Sequence, residues 1–72
     1  MTQLRPLRPR EVERVPLDHG FVFDHQTGSH RVYKHPETRR TTVVPFHARD
    51  LPVWLISRIA RQAGLPRSAF VP

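Results

Sequence analysis

Gln26-Thr27-Gly28-Ser29-His30-Arg31-Val32-Tyr33-Lys34-His35-Pro36 is the stretch whose reading decides the fold. Thr27 and Gly28 carry turn chemistry, Pro36 to Arg39 carry it again, and His30 to His35 between them read as a strand. A strand held between two tight reversals needs a neighbour on each side. Phe21 to His25 upstream and Arg40 to Val44 downstream supply them, so the segment reads as a three-stranded antiparallel meander.

Connecting loops of two or four residues set His25 opposite His30, Phe23 opposite Val32, Val32 opposite Val43, Tyr33 opposite Thr42 and His30 across from Pro45. One face then gathers Phe21, Phe23, Val32 and Val43 and is the expected core. The other gathers Val22, Asp24, Arg31, Tyr33, His35 and Thr42. A three-residue turn with a bulge would invert one strand, because side chains alternate with a period of two.

Outward from the meander, Pro9 to Val15 read as a helix, with proline at a permitted early position, acids in the first turn and Val12 and Val15 on the buried side. Pro16 makes that helix short, kinked or finished by Asp18. On the other flank Asp50 reads as a cap and Pro52 as a first-turn residue of a second helix. Its stripe is Val53, Ile56, Ile59, Ala60 and Ala63, Arg58 and Arg61 lie outside the stripe, and Gly64 is the stop. Met1 to Arg8 read as a flexible basic lead-in, and Phe70 is expected to dock back onto the core. The expected fold is α+β, with the α-β-β-β-α order of double-stranded-RNA-binding domains: one three-stranded antiparallel sheet with both helices on one face.

Seventy-two residues allow one domain, 1–72, with a folded core over 9–70 and a modest interior, so a homodimer or another partner is one way to add stability. The absence of cysteine excludes disulfide scaffolds and thiolate metal sites and favours a cytoplasmic setting. No window approaches the roughly 20 apolar residues that span a bilayer, so no membrane role is expected. Twelve basic residues stand against six acidic, and Lys34 is the only lysine. Either affinity for nucleic acid or a GC-rich coding bias accounts for the arginines.

Residue by residue, two readings stand side by side. Gly28 permits a positive φ in the turn or lets a phosphate approach closely, and Ser29 caps the turn or bonds a phosphate oxygen. Arg31, Lys34, Arg39 and Arg40 cluster about the second hairpin as phosphate contacts or as a solvated face. Tyr33 stacks on a base or packs across strands. Trp54 is a core-edge residue or an exposed anchor for a partner. His25, His30 and His35 recur every five residues, a spacing that sends them to different faces and forms no common metal centre. His30 is an acid/base group at the sheet's edge or an ordinary surface histidine. His47, brought to the same end by the His30–Pro45 pairing, is a second proton carrier, a group that orients His30 or the phosphate, or a loop histidine bonded to backbone.

Gly20 and Phe21, then Gly28, Ser29 and His30, then His35 and Pro36, then Val44 to His47, then Ile59 to Leu65 with Gln62, Ala63 and Gly64 together resemble the HicA (YcfA-like) toxin family of type II toxin–antitoxin systems, from about Pro9 to Phe70. That resemblance implies an mRNA interferase: a ribonuclease acting on mRNA, held inactive by a HicB-type antitoxin, with His30 as its general acid/base. Pro16, and Val53, Trp54 and Leu55 in place of a small polar helix start, depart from the family pattern. RNA carries its own nucleophile, the 2′-hydroxyl, so imidazole and guanidinium groups suffice and neither metal nor nucleotide cofactor is required. A non-catalytic RNA-binding module and a domain whose basic surface serves only to bind an antitoxin are the alternative readings.

Overall fold

The computed structural model describes residues 3–47 and 49–72. Helix α1 spans Pro9–Asp18. Strands β1, β2 and β3 span Val22–Thr27, His30–Lys34 and Thr41–Pro45, and helix α2 spans Val53–Ala63, followed by a 3-10 turn at Arg67–Phe70. The strands form one antiparallel sheet in the order β1-β2-β3. Tyr33 and Thr42 are cross-strand partners and therefore point the same way; the Tyr33 hydroxyl donates to Glu13 of α1, and the Thr42 hydroxyl reaches Ile59 and Gln62 of α2. Both helices thus cover one face, in the expected α+β arrangement resembling a double-stranded-RNA-binding domain.

Each element follows from local chemistry. Pro9 opens α1 where a missing N–H costs nothing, and Glu11 accepts from the Arg8 backbone N–H at 3.0 Å. Pro16 lies inside α1 with its ring buried. The helix ends two residues later, and the Phe21 N–H returns to the Pro16 carbonyl at 3.0 Å. In α2 the expected stripe is buried at Ile56, Ile59, Ala60 and Ala63, and the helix stops at Gly64, with the Leu65 N–H closing on the Ala60 carbonyl at 2.9 Å. Phe70 docks on the core as expected, 2% exposed. Among the described residues no helix is long and apolar enough to cross a membrane.

The register of β2 with β3 is the expected one, including His30 opposite Pro45, but that of β1 with β2 is not. Thr27, not His25, faces His30; His25 faces Val32 and Phe23 faces Tyr33, with an irregularity between Phe23 and His25. The cause is a two-residue turn: Gly28 adopts φ +59° at its first position, as in the II′ class of hairpin, so pairing begins at Thr27 and a bulge at Asp24 absorbs the remaining residue.

The core face is corrected as well. Tyr33, Thr42 and Val44 are fully buried with Phe21, while Phe23 stays 46% exposed and Val32 and Val43 are half-buried. The helices offer partners for the hydroxyls of Tyr33 and Thr42, so these polar-tipped side chains enter the core satisfied. Tyr33 is therefore no outer platform for a base.

Two boundary expectations also change. Leu7, assigned to the lead-in, is buried and bridges to Leu51 through backbone hydrogen bonds of 3.2 and 2.7 Å. That pairing takes up the segment before α2, and Pro52, not Asp50, occupies the cap position.

Candidate functional site

His30 is the first residue of β2, exposed at the end of the sheet where the Gly28–Ser29 turn releases it. The chain leaving β3 is tied to the same turn, because the Phe46 N–H donates to the Ser29 carbonyl at 2.7 Å. The next side chain, His47, consequently meets His30: the two imidazoles approach edge to face with ring centroids 6.0 Å apart. His25, by contrast, sits two residues further from the turn and bonds Asp24 at 2.6 Å. That hydrogen bond, with the Lys34 ammonium 3.8 Å away, holds the Asp24 carboxyl below its ordinary value.

Arg31 faces the helices. Its guanidinium lies 4.9 Å from the ring centroids of both Phe23 and Phe46 and 3.5 Å from Glu13, and its Nε is buried without a hydrogen-bond partner among the described residues. One cation thus links the bulged part of β1, the segment leading to His47, and α1. Glu13 also accepts from the Tyr33 hydroxyl; burial, and then that bond, push the Tyr33 phenol above its usual range.

A cleft of about 280 Å³ opens beside His30, walled by Val43 and Pro45 of β3 and by Leu55, Arg58, Ile59 and Gln62 of α2. Gln62 spends its side-chain oxygen on the Thr42 hydroxyl at 3.1 Å, which leaves its amide donors for other partners. Arg58 and Gln62 were not singled out as site residues from the sequence. Their signal was present, since they stand four apart and outside the buried stripe, on one side of the best-formed helix.

The remaining candidates separate. Gly28 and Ser29 stay with His30 at the turn. Lys34 and Arg39 line another cleft with His35 at the opposite end of β2, about 13 Å along the strand. The Arg40 guanidinium crosses Gly64, close enough that a Cβ there would meet Nε at 2.6 Å, and so sets a cation at the C-terminal end of α2. Trp54 is 65% exposed near the start of α2.

A family model described as the HicA toxin of bacterial toxin–antitoxin systems matches residues 9–65, a span that starts with α1 and ends one residue past Gly64. No curated protein matches the chain.

Proposed function

The chain belongs to the HicA toxin family, a membership that implies an antitoxin partner, and from that premise we propose that it is an mRNA endoribonuclease neutralised by a HicB-type antitoxin. The observation that carries this reading is the His30–His47 pair, 6.0 Å apart at the solvent-open end of the sheet. Neutral His30 takes the proton of a 2′-hydroxyl. The resulting oxygen attacks the adjacent phosphorus in line, and protonated His47 gives its proton to the departing 5′-oxygen.

Charge gathers on the phosphorane oxygens between these steps. Arg58 and the free amide donors of Gln62, on the wall of the cleft that His30 lines, are the groups suited to receive it. The products are a 2′,3′-cyclic phosphate and a 5′-hydroxyl, and every proton is handled by a side chain of this protein. Lys34, Arg39 and Arg40 serve in this reading as a more distant attraction for the polyanion.

The test is incubation of the purified protein with RNA in EDTA, beside His30→Ala. Cleavage by the wild type and none by the variant is expected. Equal retention of RNA without cleavage by either protein would replace the enzyme with a binding module.

A further inference from the structure

The outward side of α2 carries a stripe that the packing does not use. Trp54, Arg58 and Arg61 recur at i, i+4 and i+7 and are all exposed. The helix contains no acidic residue, and among the described residues neither arginine is paired with a carboxylate. An exposed indole followed along the same helix side by two guanidinium groups without carboxylate partners is a combination suited to a single nucleic-acid strand: an aromatic face for a base and cations for the phosphates.

The direction of α2 brings this stripe to the site. Gly64 lies under Arg40, just before β3; Ile59 and Gln62 meet Thr42; and Leu55 and Arg58 share the cleft with Pro45, at the end of β3. The helix therefore runs antiparallel to β3, and Trp54, one turn before Arg58, sits at the His30 and His47 end. Trp54 and Arg58 are about 6 Å apart along the helix axis, close to the span of one extended nucleotide.

We propose that Trp54 is a base-stacking platform and Arg58 its phosphate clasp, so that the substrate enters along α2 as single-stranded RNA with a nucleotide adjoining the scissile phosphate stacked on the indole. The proposal rests on the ribonuclease reading and adds the groups that hold the strand. A duplex keeps its bases stacked on each other and offers no face to Trp54. The continuity of the stripe with the cleft that holds His30 favours RNA over a protein partner as its occupant.

Trp54 is the sole tryptophan, so its fluorescence reports this position alone. The probe is a short 2′-O-methyl oligoribonucleotide, which lacks the free 2′-hydroxyl and is not cut, titrated into wild-type protein beside the blunt duplex of the same sequence. Saturable change in emission with the single strand and little with the duplex is expected. Trp54→Ala should weaken single-strand binding about 10- to 100-fold and raise KM for cleavable RNA with kcat little changed, while Trp54→Phe retains most of the affinity. Binding of the strand without a change in emission, or Trp54→Ala cutting RNA with an unaltered KM, overturns this inference and leaves the ribonuclease standing. A Trp54→Ala protein that keeps its RNA affinity but loses its antitoxin assigns the stripe to the protein partner. Wild-type protein that neither binds nor cuts RNA removes both readings.

Discussion

At one end of β2, His30 stands exposed with a second imidazole 6.0 Å away and an open cleft beside it. Just past the other end, His35 is wedged into the fold: its ring meets Phe21 edge-on at 5.1 Å, leaves room for no Cβ at Gly20, and accepts from the Glu37 and Thr38 backbone N–H groups through Nδ1 at 3.1 and 3.2 Å. Accepting at Nδ1 puts the ring proton of neutral His35 on Nε2. The same residue type five positions apart therefore stands in two environments, and the proposed function gives it two jobs. Where the turn is closed by glycine, the imidazole is left open to solvent; where the turn has four residues and must be held, the imidazole becomes part of the scaffold.

Exchanging the two histidines for alanine should separate these jobs. His30→Ala is expected to lower RNA cleavage by about 10²- to 10⁴-fold while leaving the urea midpoint nearly unchanged. His35→Ala should do the reverse, costing about 1–3 kcal/mol in urea unfolding while the protein that remains folded still cuts. A large activity loss in His35→Ala at a temperature where it is fully folded would erase the distinction.

Between the two ends, Glu13 connects α1 to the strand through Tyr33 and Arg31. Glu13→Ala leaves the buried Tyr33 hydroxyl and the half-buried guanidinium without their acceptor. A loss of about 1–3 kcal/mol is expected, measured by the same unfolding curves. A smaller effect belongs to Tyr33 alone. Its folded-state pKa is raised, so its contribution is fully present below the ordinary tyrosine value of about 10 and is lost as pH rises from there toward the folded value. Wild-type stability should therefore decline over that alkaline range, and Tyr33→Phe should show a flatter decline across it.

The sequence carried the order of elements because turn residues, the two proline-opened helices and the α2 stripe are local signals that agree with one another. The β2–β3 register was legible from the four-residue loop at Pro36 to Arg39, and with it the approach of His47 to His30. The buried face was not. Whether Tyr33 and Thr42 enter the core depends on Glu13, Ile59 and Gln62, residues 17 to 20 positions away, and no periodicity reports a distant hydrogen-bond partner. Arg31 escaped for the same reason, since its aromatic and acidic neighbours come from three separate segments. At the candidate site, His30 was visible through its turn, whereas Arg58 and Gln62, though marked by their four-residue spacing outside the buried stripe, could be set beside His30 only once α2 was placed antiparallel to β3.

The division of labour between His30 and His47 is the central claim, and a change of leaving group tests it most directly. An RNA in which sulfur replaces the bridging 5′-oxygen departs without needing a proton, so the general acid becomes dispensable while the general base does not. On this substrate His47→Ala is predicted to recover cleavage close to that of the wild type, and His30→Ala is predicted to stay defective. Equal defects in both variants on the sulfur substrate, or recovery by His30→Ala instead, would contradict the assignment.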